Sequence, residues 1–551
     1  MTLPSSESSV LEVRGLKVGP RGTNDAWILK GVDFEVRRSE SLAIIGESGA
    51  GKSLAVKTVC GLLPENLRAE GSVRVHGRSV SINSPQSELL GRRLLYLSQQ
   101  PMSAFDPLSR LGRQIEETLK VHFPDEPIVE RRKRIDEIFR FLRFEDPAAV
   151  LSRFPSELSG GMLQRAMTAI AILLKPEAVV ADEPTSALDV LSVREVLKIL
   201  KTIQEQTGAA LIVITHDLSF AEALAQRFIV MKSGRIVESG GPEILQAPRH
   251  PYFKHLVQMR HSMKARLTAA LQGVESASSN TPTSHQKALP RLLEVRRLQK
   301  SYCKARSSFF SLPRSVSVLA GLNLDIQSGE TVALVGASGE GKSTLSRLLL
   351  GLEKPDAGTI RINGMNLEQW QKLNPGAMSV VSQNYEDSAD PTWSVADILA
   401  EPLKIKLLSA ETDQAKRIRD KLTEAYFQQC LSRVGLSNDK LHRHPHELSG
   451  GELQRVCIAR ALISDPRFVV FDEALSSLDA AVQGEILELL LQLRTKDSSW
   501  LFISHDLKAV AALCDRVLFL HGGRIVESIA ADKLAKVSSP TAKQLLGAAL
   551  L

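Results

Sequence analysis

The chain repeats itself at long range. GESGAGKS at 46–53 returns as GASGEGKS at 336–343, and ELSGGMLQR at 157–165 returns as ELSGGELQR at 447–455. The copies stand 290 residues apart at Lys52/Lys342, Ser159/Ser449 and Asp182/Asp472, 289 at His216/His505 and 284 at Gln99/Gln383. A near-constant offset across blocks this distant requires one domain of about 260 residues written twice, not a short-period solenoid. The tails align as well, HPYFKHLV (250–257) with SPTAKQLL (539–546). The expected organisation is a first domain over 8–260, a linker over 261–290 and a second domain over 291–551. Within the linker, GVESASSNTPTSHQK (273–287) is rich in Ser, Thr and Ala and poor in large apolar residues, as a flexible tether should be.

Within each half, SLAIIG, EAVVAD and LIVIT are too short and too solidly apolar for surface helices. They alternate with helical patterns and are expected as buried parallel strands of an α/β domain. The stretches at about 105–157 and 390–446 have a helical pattern instead, clearest in KVHFPDEPIVERRKRIDEIFRFLRF, and predict an inserted helical subdomain. No apolar run reaches the length of a spanning helix, and the start MTLPSSESSVLEVRG lacks a basic then apolar leader, so a cytoplasmic location is expected. Cys60, Cys303, Cys430, Cys457 and Cys514 form no CxxC pair, which argues against zinc or iron–sulfur sites and for reduced, mostly buried thiols. The net charge of +7 is spread over 551 residues and singles out no partner.

GESGAGKS follows a strand pattern and opens a helical one, the context that makes G-x-x-x-x-G-K-[ST] a phosphate loop. The predicted nucleotide contacts are Gly46, Glu47, Ser48, Gly49, Ala50, Gly51, Lys52, Ser53 and Leu54. Their repeats are Gly336, Ala337, Ser338, Gly339, Glu340, Gly341, Lys342, Ser343 and Thr344. The glycines let backbone wrap the phosphates, each lysine pairs with β/γ oxygens, and Ser53 and Ser343 are expected on Mg²⁺. Asp182 and Asp472 end apolar runs and are the expected Mg²⁺ carboxylates, acting through water; Glu183 and Glu473 are expected to polarise the attacking water. His216 and His505 follow further apolar runs and so reach the same sheet edge, close to a γ-phosphate, each with an Asp (Asp217, Asp506) beside it. Gln99 and Gln383 stand at the entry to the helical insert, where an amide can sense both the metal and whatever touches that insert. The paired glycines of LSGG, read just ahead of a helix, aim bare N–H groups at an anion and so make a second phosphate seat in each half.

Phosphate loop, glutamine, LSGG, strand-end Asp-Glu, SALD and SSLD loops and histidine, in that order, resemble ABC-transporter nucleotide-binding domains. The match covers nearly the whole chain. ADEPTSALD, the HPY segment and EPL (401–403) are similar to the dipeptide, oligopeptide and nickel importer branch, with two ATPase subunits fused as in some glutathione and microcin C type importers. The resemblance implies an α/β fold of two P-loop NTPase domains in tandem. Each has a mainly parallel sheet core, an antiparallel β subdomain and an inserted helical subdomain. It also explains the second phosphate seat, because the signature of one half serves the ATP of the other. Ser159, Gly160 and Gly161 are then expected over the γ-phosphate on Lys342, and Ser449, Gly450 and Gly451 over that on Lys52, with Asp189 and Asp479 along the same seam. The implied activity is ATP hydrolysis coupled to import at the cytoplasmic face of a bacterial inner membrane. The implied partners are two permease subunits and an extracytoplasmic solute-binding protein, with no nucleic acid. Peptides, glutathione-like thiols, opines and nickel all stay open as cargo.

Two departures and one insert stand out. The family stacks adenine on an aromatic residue near the domain start; Tyr302 fills that place in the second half and Pro20 in the first, where Trp27 either substitutes or belongs to the core. Asn384-Tyr385-Glu386 follows Gln383 where the family has an acidic residue and proline. The segment CKARSSFFSLPRS (303–315) is similar to an insert of the partner subunit; its Phe309, Phe310, Lys304, Arg306 and Arg314 suit either a lipid or permease contact or an exposed hairpin. The competing function is a soluble tandem ATPase acting on the ribosome. Such relatives join their halves by a long charged helical segment, and the tether SASSNTPTS is neither long nor basic.

Overall fold

The computed structural model describes residues 9–22, 26–82, 90–97, 104–158, 160–185, 190–272, 290–303, 315–408, 410–475, 478 and 480–549. Two compact units divide the chain, with the main boundary between Gln258 and Met259. In the first unit six strands form one sheet, in the order Arg235–Gly240, Arg227–Lys232, Ser41–Ile45, Ala210–Thr215, Ala178–Asp182, Leu94–Leu97. All neighbours are parallel except the edge pair Arg227–Lys232 and Arg235–Gly240. Every residue of Ser41–Ile45, Ala178–Asp182 and Ala210–Thr215 is buried, as strands covered on both faces require.

The second unit repeats this sheet with Met378–Val381, Phe468–Asp472, Ser499–Ile503, Thr331–Val335, Arg516–His521 and Arg524–Ala530. Each unit also carries a four-stranded antiparallel sheet, built on Ser9–Pro20 in the first and Arg291–Cys303 in the second. Parallel pairing has one consequence for chemistry: the C-terminal ends of five adjacent strands open on a single edge, where ligands of such sheets bind.

Between sheet strands the first unit inserts helices Leu111–His122, Ile128–Phe141 and Pro147–Leu151. The apolar residues Leu111, Ile115 and Leu119, four apart, share a core with Ile135, Phe139 and Leu163. The second unit inserts Val395–Leu407, Thr412–Lys421 and Glu424–Arg433. Helix Pro251–Gln272 extends into the stretch expected as linker; the tether at 273–287, the 304–314 part of the insert, Gln99, Ser159, Asp189 and Asp479 lie outside the described residues. Among the described residues no helix is long and apolar enough to cross a membrane. Cys60, Cys430, Cys457 and Cys514 are free and buried.

Candidate functional site

The strand Ser41–Ile45 runs into the loop 46–51, and helix Lys52–Val59 begins immediately after it. Gly49 and Gly51 take φ of 78° and 94°, the left-handed region that favours glycine. A Cβ at Gly46 would lie 2.3 Å from the Met231 carbonyl oxygen, so that position is glycine for space. The loop bends back over Lys52, whose Nζ donates to the carbonyls of Gly46 and Glu47, both at 2.8 Å, and is only 4% exposed. Loop 336–341 does the same: Gly339 and Gly341 have φ of 82° and 99°, and Lys342 Nζ donates to Gly336 O at 2.9 Å and Ala337 O at 3.1 Å. Ser53 with Leu54, and Ser343 with Thr344, lie in the first turns of the following helices.

Strand-end carboxylates meet these lysines. Glu183 Oε1 lies 4.0 Å from Lys52 Nζ, and its Oε2 lies 3.7 Å from His216 Nδ1. In the second unit Glu473 Oε1 lies 3.6 Å from Lys342 Nζ and Oε2 lies 3.8 Å from His505 Nδ1. Both glutamates have left-handed backbone, with φ of 44° and 49°. A side-chain-bearing residue pays strain there, and such strain clusters at functional turns. The neighbouring His216 holds the Glu183 carboxyl below its ordinary value of 4.5, against burial, with Lys52 adding to the effect. A depressed carboxyl gives stability that is full above the ordinary value and is lost as pH falls through the lower, folded one. His216→Ala is therefore expected to shift Glu183 titration upward, read from its carboxyl ¹³C shift.

Asp217 and Asp506, adjacent to the histidines, are helix caps: Asp217 Oδ1 accepts from Ser219 and Phe220 N–H at 2.7 and 3.2 Å, and Asp506 Oδ1 from Lys508 and Ala509 at 2.8 and 3.4 Å. They fix where strand ends and helix begins, and so where each histidine stands.

Asp182 Oδ1 accepts from Ser53 Oγ at 2.7 Å, which brings both expected metal ligands together. Asp472 Oδ1 is buried with no partner among the described residues. An unpaired buried carboxylate oxygen beside a glycine-lined cradle and a buried lysine fits a hydrated divalent cation on a nucleotide. Gln383 is exposed in the loop after Met378–Val381.

The LSGG glycines open helices Gly160–Leu174 and Gly450–Leu462. Ser449 closes a capping box with Glu452: its N–H donates to Glu452 Oε2 at 2.9 Å and its Oγ accepts from Glu452 N–H at 3.3 Å. Tyr385, in the departure after Gln383, is buried with its hydroxyl 2.6 Å from where a Cβ at Gly450 would stand. The segment following the glutamine is thus packed against the start of the signature helix.

Tyr302 stands near the end of its strand, its hydroxyl donating to Glu353 Oε2 at 2.5 Å and Lys300 Nζ 5.6 Å from its ring centre. Trp27 is half-buried under the Arg68 guanidinium, 4.5 Å from the ring centre. Tyr302→Ala is expected to weaken ATP binding at the second site and Pro20→Ala to do little at the first, measured by titration with a fluorescent ATP analogue; equal losses would reject the asymmetry.

Two site residues carry no motif of their own. Tyr96 Oη donates to Asp182 Oδ2 at 2.7 Å, and the Tyr252 hydroxyl accepts from Glu47 N–H in the phosphate loop at 2.8 Å. Tyr96 follows from its place three residues before Gln99, on the strand beside Ala178–Asp182. Tyr252 belongs to the HPY segment, whose counterpart in the second half has Thr541.

The ABC transporter family model matches residues 29–186 and 319–476. The chain is 35% identical over 546 residues to the glutathione import ATP-binding protein GsiA of Salmonella choleraesuis (strain SC-B67), covering 94% of this chain and 86% of that one. The protein of the same name from Escherichia coli (strain K12) is 34% identical over 532 residues, 91% of this chain and 82% of its own. Among solved structures, RNase-L Inhibitor superposes over 93% of this chain and 90% of its own with a TM-score of 0.55 at 21% identity, a likeness of fold alone.

Proposed function

Because the chain belongs to the ABC transporter family and carries its domain twice, we propose that it is the ATP-hydrolysing subunit of an importer for peptides or related small solutes. The observation that carries this reading is the identity with glutathione import ATP-binding proteins along nearly the full length of both chains. The two Lys–Glu–His clusters at the sheet edges support it from the side of chemistry.

In this reading Lys52 and Lys342 turn their ammonium groups from loop carbonyls to the β/γ-phosphates, while the loop N–H groups hold the remaining oxygens. Glu183 and Glu473 accept a hydrogen bond from the attacking water and orient it. His216 and His505, standing beside those carboxylates, contact the γ-phosphate and the water. Ser53 with Asp182, and Ser343 with Asp472, would hold Mg²⁺, the aspartates through water, with Gln99 and Gln383 as further ligands; the ion would supply positive charge against the transferring phosphate. Each phosphate loop is completed by the signature of the other half, so that ATP draws the halves together and hydrolysis releases them. Permease subunits in the inner membrane receive that motion through the helical inserts, and an extracytoplasmic binding protein delivers the solute.

A soluble tandem ATPase at the ribosome is the reading to test against, since the tandem fold is shared with an archaeal ribosome recycling factor. Cell fractionation separates them. The importer reading expects the chain with membranes that hold peptide-type permeases; recovery with ribosomes at low salt, and never with membranes, would overturn it.

A further inference from the structure

We propose that the two metal positions of this chain are unequal, the second binding a divalent cation more tightly, and that Tyr96 sets the difference. The inference rests on the nucleotide reading above. Asp182, 5% exposed, has both oxygens engaged, Oδ1 by Ser53 Oγ and Oδ2 by Tyr96 Oη, each at 2.7 Å. Asp472 ends the corresponding strand, yet its buried Oδ1 has no partner among the described residues.

The cause lies in one register position. Tyr96 sits opposite Val180 on the strand that ends in Asp182, and Val380 sits opposite Val470 on the strand that ends in Asp472. The second unit thus has an aliphatic side chain where the first has a phenol aimed at the carboxylate. The helix after the second phosphate loop carries Ser346 where the first has Val56, yet Asp472 Oδ1 still has no partner among the described residues.

A buried acceptor without a donor carries a desolvation penalty that a cation-bound water removes. At the second site uptake of the ion therefore adds a hydrogen bond and breaks none at Oδ1. At the first, Ser53 donates its proton to Oδ1 and still offers a lone pair to the ion, and Tyr96 keeps Oδ2 satisfied whether or not the ion is there, so uptake relieves no orphaned acceptor. The resulting preference for the second site is expected to be about tenfold. Tyr96 is a positioning residue in this scheme, acting through Asp182.

The test uses the full chain, saturated with the non-hydrolysable analogue AMP-PNP, with Mn²⁺ as probe and free Mn²⁺ read by electron paramagnetic resonance. Two classes of site about tenfold apart are expected. Asp472→Asn should remove the tighter class and Asp182→Asn the weaker. Tyr96→Phe leaves Asp182 Oδ2 without its donor and should draw the weaker class toward the tighter; Val380→Tyr should do the reverse to the tighter class. Two equal classes in the parent, or a Tyr96→Phe chain whose weaker class does not move, would overturn the proposal while leaving the nucleotide reading intact. No Mn²⁺ uptake at all would overturn both.

Discussion

Lys342→Ala is expected to lower ATP turnover by the whole chain about a hundredfold or more, although Lys52 is untouched. The Lys342 side chain is 6% exposed and its ammonium is held by two loop carbonyls and by Glu473 at 3.6 Å. A cation kept dry in this way interacts strongly with the charge that gathers on a γ-phosphate during transfer, and alanine leaves that charge facing only backbone N–H groups. If the sites fire together, the loss spreads to the intact half. Lys52→Ala should match it, since Lys52 repeats the geometry with 2.8 Å bonds to Gly46 and Glu47 carbonyls. Phosphate release by each purified single variant decides the matter. Near-normal turnover in either would make that site regulatory and end the idea that both must fire.

The meeting of these side chains at one sheet edge was readable from the sequence, for a physical reason. Glu183, His216 and the phosphate loop each follow a solid apolar run, such runs become buried parallel strands, and parallel strands deliver their C-terminal ends to one edge. Adjacency in sequence was a poorer guide. Asp217 and Asp506 stand next to the histidines, yet their carboxylates cap helices. The place of Tyr96 beside the Asp182 strand could be read from Gln99, but the partners of the tyrosine hydroxyls could not, because they join distant segments: Tyr96 reaches Asp182 across 86 residues and Tyr252 reaches Glu47 across 205. Nothing in local pattern announces a hydroxyl aimed at a carboxylate on the next strand, beyond a whole helical insert. The same applies to Tyr385, which departs from the family's usual acidic-Pro pair and fills the space over Gly450 that any larger residue there would need.

The second large effect concerns completion of each site by the opposite half. Glu183→Gln together with Glu473→Gln is expected to stop turnover while leaving ATP bound, because the lysines and loops that hold the triphosphate are unchanged and only the water loses its acceptor. In that stalled chain Lys342→Ala leaves a single binding site, the one on Lys52. Ser449 caps helix Gly450–Leu462 through its capping box with Glu452, so Ser449→Arg puts a bulky cation at the mouth of that helix and removes the cap without entering the phosphate loop of either half. If the signature of the second half covers the ATP on Lys52, the added Ser449→Arg should release most of the retained ATP, measured as radiolabelled nucleotide surviving rapid gel filtration, whereas Ser159→Arg should release little. The opposite ranking would mean that each half serves its own nucleotide. Closure of one half by the other would then have to be abandoned, even though every residue in both sheet-edge clusters kept its place.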